Sequence, residues 1–218
     1  NSPILKNSIY VGEYTIKSIV QERNKIKKKW DEKSDKKRVL FCGTHVECSN
    51  GYSKVVYYIC KNIAKYEDIE FTLWGFQNFQ QVQGHKQARG DIPDNIKIVD
   101  AFQIEKEKNG GTPRQGFGEK EIGNWLKDNP QDIIIVFNDA MISSVITATI
   151  INELSMYRKN FKLVSYMDQV YPFQKKDYIK LLNTHFDAII AFTPYWKDIA
   201  YQIGIKKRCQ YMFLLTDL

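Results

Sequence analysis

The sequence predicts an α/β domain, doubly wound around a mostly parallel sheet with helices on both faces. Three observations carry that prediction. Apolar runs such as Ile133-Ile134-Ile135-Val136-Phe137 are continuous, not alternating, which marks strands covered on both sides. Helix-length segments separate these runs from Arg38 onward. The stretch 38–54, RVLFCGTHVECSNGYSK, sets an apolar run, a polar loop with Gly51 and the start of a helix in that order.

Taken along the chain, the strands are expected at 38–42, 69–74, 96–100, 132–137, 162–167, 187–192 and 209–214. Helices are expected at 53–66, 118–128, 140–158, 174–184 and 194–203. Residues 75–95 and 101–117 read as long polar loops that line a cleft or form an insertion, with Gly110-Gly111 and Gly116/Gly118 as hinges. Residues 1–37 read as an N-terminal appendage, a short strand or amphipathic helix followed by a basic linker, and 38–218 as the domain proper. The chain begins with Asn1 and is expected to be part of a longer product.

Charge and composition exclude several classes. Between Gln21 and Leu40 nine basic residues face four acidic ones, so this segment holds +5 of the net +7 and the remaining body is nearly neutral. That distribution disfavours a nucleic-acid surface, which needs a basic stripe on the folded body. It leaves a solvated helix and linker, or a weak contact of Lys25–Arg38 with an anionic membrane or polyanion. No apolar run approaches the roughly 18 residues of a membrane span. Cys42, Cys48, Cys60 and Cys209 are scattered, which fits buried free thiols in a reducing, cytoplasmic compartment. Cys42, His45 and Cys48 lack a second ligand pair, so no metal is expected. The G-x-G-x-x-G and G-x-x-x-x-G-K-[ST] fingerprints are missing, which argues against classical dinucleotide enzymes and P-loop NTPases.

In an open parallel sheet, ligands sit beyond the carboxyl ends of the strands. The polar residues there are Gly43, Thr44, His45 and Asn50-Gly51-Tyr52-Ser53 after the first strand. Asn138 and Asp139 follow the strand at 132–137, Asp168 and Gln169 that at 162–167, and Thr193 to Tyr195 that at 187–192. Ser53 is the expected N-cap of the first core helix, whose N-terminus suits an anion. Asn138 and Asp139 either cap the next helix or join the site; Asp168 has no helix directly behind it and suits a base or hydroxyl-orienting role. His45 is either a phosphate or sugar contact or a plain loop histidine, while His85 and His185 read as incidental.

With these residues in view, the chain resembles the N-terminal domain of a retaining, metal-independent glycosyltransferase of the two-domain GT-B fold. The resemblance rests on RVLFCGTHVECSNGYSKVVYYICKNI, IIIVFNDAMI, KLVSYMDQVYPF and FDAIIAFTPYWKDIAYQIGI, four ordered blocks within residues 38–216. It is similar in particular to glycosyltransferases of large DNA viruses. The resemblance implies a Rossmann-like acceptor-side domain. A nucleotide-sugar donor and a glycan or other hydroxyl acceptor would be its ligands, with no cofactor. A separate C-terminal donor domain would complete the enzyme, so that this chain alone would be inactive. It implies catalytic roles for Asp168 and Asp139, and donor-phosphate or substrate binding by Gly43, His45, Gly51, Tyr52, Ser53 and Asn138. The competing reading is a non-catalytic sugar- or nucleotide-binding α/β module.

Overall fold

The structure, a computed structural model, describes residues 3–79, 89–169 and 171–212, with side chains described from residue 17 onward. Seven strands form a single parallel sheet in the order β3-β2-β1-β4-β5-β6-β7. They are β1 (Lys37–Thr44), β2 (Ile69–Phe76), β3 (Ile96–Asp100), β4 (Ile133–Asn138), β5 (Lys162–Met167), β6 (Ala188–Ala191) and β7 (Arg208–Tyr211). The helices are α1 (Pro3–Asp31), α2 (Gly51–Ile63), α3 (Ala101–Lys108), α4 (Ile122–Asp128), α5 (Ala140–Leu154), α6 (Lys176–His185) and α7 (Pro194–Gln202). A 3-10 turn, Ser155–Asn160, extends α5. The fold is the doubly wound, Rossmann-like α/β class. β1 lies between β2 and β4, with Cys42 in register with Trp74 on one side and Val136 on the other. The direction of winding reverses there, and the carboxyl edge of the β1/β4 junction is where such sheets leave a crevice.

Alternate residues of each strand feed two separate cores. Leu40, Cys42, Ile134, Val136, Leu163 and Ile189 join the core formed with α1, α4, α5, α6 and α7. Val39, Phe41, Phe71, Leu73, Phe137 and Tyr166 join the core beneath α2. Helices thus lie on both faces but unequally. Over β4 to β6 the α2 face is only partly buried at Ile133, Ile135 and Ile190.

Three expectations change. Residues 3–31 form one helix, so the lysines at 25–29 lie on α1 and the connection to β1 is only Glu32–Lys36. Its last turns belong to the domain: Trp30 is 3% exposed, stacks on Tyr157 at 5.7 Å and packs on Phe161. Residues 101–108, expected as loop, are helix α3, capped by Asp100 accepting the Gln103 N–H. Gly116 and Gly118 are not hinges. The fully buried Glu105 carboxylate accepts the main-chain N–H groups of Arg114, Gln115, Gly116 and Gly118. Both glycines have positive φ (77° and 60°), and a Cβ on Gly118 would lie 2.8 Å from the Trp74 ring. That backbone shape and that space admit only glycine at low cost. Part of the other expected loop, residues 80–88 with His85, lies outside the described residues. The strand expected at 209–214 is seen at Arg208–Tyr211, and residues 213–218 also lie outside them.

Candidate functional site

Four of the residues expected at the site meet at the β1/β4/β5 carboxyl edge: Gly51, Tyr52, Asp139 and Asp168. Asn50, not Ser53, caps α2. Its Oδ1 accepts the Ser53 N–H at 2.8 Å, and Ser53 Oγ accepts the Asn50 N–H at 3.4 Å, which makes a capping box. The box fixes the loop so that Gly51 and Tyr52 occupy the first two helical positions, whose N–H groups have no acceptor within the helix. A Cβ on Gly51 would meet nothing within 4 Å, so this turn is open to an approaching ligand.

The Tyr52 hydroxyl donates to Asp168 Oδ2. Its ring rests on Phe137 with centroids 5.3 Å apart, and Phe137 in turn meets Phe192 and Tyr166. Burial, then the hydrogen bond to Asp168, then the nearby charges of Asp168 and Asp139 push the Tyr52 hydroxyl well above the usual tyrosine range. The shift favours the neutral phenol, the form that donates to Asp168.

Asp168 borders two cavities. The smaller, about 240 Å³, lies on the α2 side and is lined by Gly51, Tyr52, Val55, Phe137, Asp168 and Phe192. The larger, about 610 Å³, lies between α5 and α6, with Asp139, Asp168, Asp177 and Lys175 as its charged residues and Met141 and Tyr178 among its apolar walls. Asp139 also caps α5, its Oδ1 accepting the Met141 and Ile142 N–H groups at 2.8 and 3.0 Å. Capping and lining coexist in this one side chain. Under the floor, the buried Tyr178 hydroxyl sits beside Ser143 and Ser165 without a hydrogen bond of ordinary geometry. Beyond the rim, Tyr171 and Phe173 stack on each other at 5.8 Å while 61% and 68% exposed.

The other expected site residues serve the fold. Gly43 is buried within β1, and a Cβ there would fall 2.9 Å from Phe41 and 3.0 Å from Val56, so it lets α2 pack closely. His45 is 5% exposed, with its ring against Gly75 and its Nδ1 accepting the Glu47 N–H. Ser53 is fully buried and donates to the Cys48 carbonyl. Arg89 bonds the Val46 and Ser53 carbonyls at 2.8 and 3.0 Å, which tightens the same loop. Asn138 is 6% exposed, and its Oδ1 accepts the Asp139 N–H, so it shapes the turn without facing the cavities. Lys175, Asp177, Tyr171 and Phe173 were not singled out from the sequence. The signal was there in Tyr171-Pro172-Phe173, an aromatic pair around a proline directly after a strand.

All four cysteines are buried and none is joined to another in a disulfide. Burial raises Cys42 far above the ordinary thiol range and pushes Cys60 up to about 12, so neither is a ready thiolate nucleophile. Among the described residues no group of three His, Cys, Asp or Glu is placed to hold a metal. No helix among them is long and apolar enough to cross a membrane. No family model matches this chain, and no curated protein matches it significantly.

Proposed function

We propose that this chain is the acceptor-side domain of a glycosyltransferase that moves a sugar from a nucleotide-sugar donor to an acceptor hydroxyl. The observation that carries the reading is Asp168, a carboxylate at the carboxyl end of β5, one strand from the topological switch, shared by two cavities and already engaged by one hydroxyl. A carboxylate so placed orients an incoming hydroxyl and accepts its proton as the new C–O bond forms. The donor's diphosphate leaves at the same time, and the open N–H groups of Gly51 and Tyr52 offset its growing charge. The rings of Tyr52, Phe137 and Phe192 supply the apolar lining that ligand cavities of this size combine with a few polar groups. In this reading most donor contacts come from a second α/β domain.

A specific observation favours the alternative, a sugar-binding module without catalysis. The larger cavity carries three carboxylates against one lysine, which repels a diphosphate while suiting neutral hydroxyls. One series of experiments separates the two. Ligand-observed NMR on the full chain is run with neutral monosaccharides and with nucleotide sugars, beside a transfer assay with a second α/β domain present. The transferase reading expects sugar binding and transfer, both lost in Asp168→Asn. Binding without transfer selects the module, and sugar binding unchanged in Asp168→Asn removes both.

A further inference from the structure

We infer that the hydroxyl ligand of the Asp168 cavity carries an apolar arm, seated in a groove between α5 and the 114–120 loop. The inference rests on the hydroxyl-binding reading above and adds the chemical class of the ligand: an amphiphile, with a polar head at Asp168 and Asp139 and an alkyl or aryl tail. The groove, about 280 Å³, has Phe117, Ile142 and Ile146 in its lining. Met141 and Val145 line both this groove and the larger cavity, so the two spaces adjoin at these side chains. Those two side chains are also 68% and 43% exposed on a helix that buries Ile142, Ile146, Ile150 and Leu154. Large apolar groups left wet at the junction of two cavities are a surface that an apolar ligand segment covers favourably.

The wall opposite α5 is built to hold its shape. Glu105 accepts four main-chain N–H groups between Arg114 and Gly118, and the Trp74 indole donates to the Phe117 carbonyl at 3.0 Å. Arg114, one of two cations on this wall with Lys120, is committed to Glu119 and Glu121 at 3.3 and 2.8 Å. The groove's polar side chains, Arg114, Gln115, Glu119 and Lys120, all come from the loop, and the α5 side is apolar. A second sugar ring would leave the hydroxyls of that side against Met141, Ile142, Val145 and Ile146, without polar partners.

The test measures affinities of the full chain for methyl and hexyl glycosides of glucose, galactose and mannose, and for the matching disaccharides, below micelle-forming concentrations. Each buried methylene tightens binding by about threefold to fourfold. The expected result is a hexyl glycoside bound at least about tenfold more tightly than its methyl counterpart. In Val145→Glu that preference falls to near one. Phe117→Leu, which keeps the core filled, weakens it in the same direction and guards against a folding defect. Equal affinity for methyl and hexyl glycosides, both lost in Asp168→Asn, overturns the apolar arm and leaves the hydroxyl site standing. A disaccharide preferred over the hexyl glycoside overturns it too. A hexyl preference that survives Asp168→Asn and vanishes in Val145→Glu keeps the groove and sinks the hydroxyl reading. No binding of any glycoside sinks both.

Discussion

The two ends of the same parallel strands treat carboxylates in opposite ways. At the amino edge, Asp132 accepts the Arg38 N–H at 2.8 Å and pairs with its guanidinium at 3.1 Å, tying β4 to β1. Asp187 does the same between β6 and β5, accepting the Leu163 N–H at 2.9 Å and the Arg158 guanidinium at 2.8 Å. At the carboxyl edge, Asp139, Asp168 and Asp177 line a cavity. Charges that hold strands together are closed by arginine and main chain, whereas those at the crevice line a cavity and have no arginine partner among the described residues. The difference separates strand-clamping carboxylates from cavity-lining ones without any appeal to motif.

The sharpest way to break the comparison is Glu105, which is structural although it belongs to the carboxyl edge. Glu105→Gln sets an amide NH₂ against main-chain donors and should cost about 3 kcal/mol in urea unfolding. Burial alone would raise the Glu105 carboxyl, but the N–H groups of Gly116, Gly118, Gln115 and Arg114 outweigh it and hold it low. A native pKa below the unfolded one adds stability that is complete above about pH 5 and is lost as acid protonates the native carboxylate. Glu105→Gln should therefore unfold with a shallower acid dependence than the parent; an identical pH profile would remove Glu105 from this role.

The next effect tests the amino edge. Asp187→Ala leaves the Leu163 N–H without its acceptor and strips the carboxylate from Arg158, which keeps the Phe161 and His185 carbonyls, and should cost about 2 kcal/mol. Burial alone would raise Asp187, but the Leu163 N–H and Arg158 outweigh it and hold the carboxyl below its usual range, and Asp132 is likewise lowered by Arg38 against the effect of burial. The same sign follows: the double variant Asp132→Asn/Asp187→Asn should be less stable at neutral pH yet lose less on acidification below about pH 4.

Sequence pattern located the sheet well because buried parallel strands leave continuous apolar runs bounded by turn residues. β3 and β5 occupy the expected residues, and β1 and β2 extend the expected strands by one or two. It missed α3 because that helix buries only Ala101, Phe102 and Glu105 and otherwise reads as polar loop. It took the lysines of α1 for a linker because Trp30 is a single anchor in a charged stretch. At the site, the strand-end rule named Gly51, Tyr52, Asp139 and Asp168, which the fold brings to one edge because position after a strand is set by topology. The rule cannot tell which side chains turn inward, and Gly43, His45 and Ser53, also expected as ligand contacts, are buried in packing. Glu105 left no trace in the sequence, because a buried glutamate and a solvated one look alike until the loop folds over it.

Two smaller effects sharpen the carboxyl edge. Asp139→Ala removes a helix cap and should cost about 1 kcal/mol, half the amino-edge figure. Asp168→Asn should change unfolding by no more than about 0.5 kcal/mol, because its described partner is one half-exposed tyrosine hydroxyl. A cost near 2 kcal/mol for Asp168→Asn would make it a strand clamp like Asp187 and erase the distinction between the edges.

The Tyr52–Asp168 contact has a consequence for any ligand that enters. The resting cleft already spends one oxygen of Asp168, Oδ2, on a phenol, so a guest hydroxyl either takes the other oxygen or displaces the tyrosine. Displacement trades one hydrogen bond for another. Discrimination falls to shape, to the swing of the tyrosine ring and to whatever surface the guest dries as it settles.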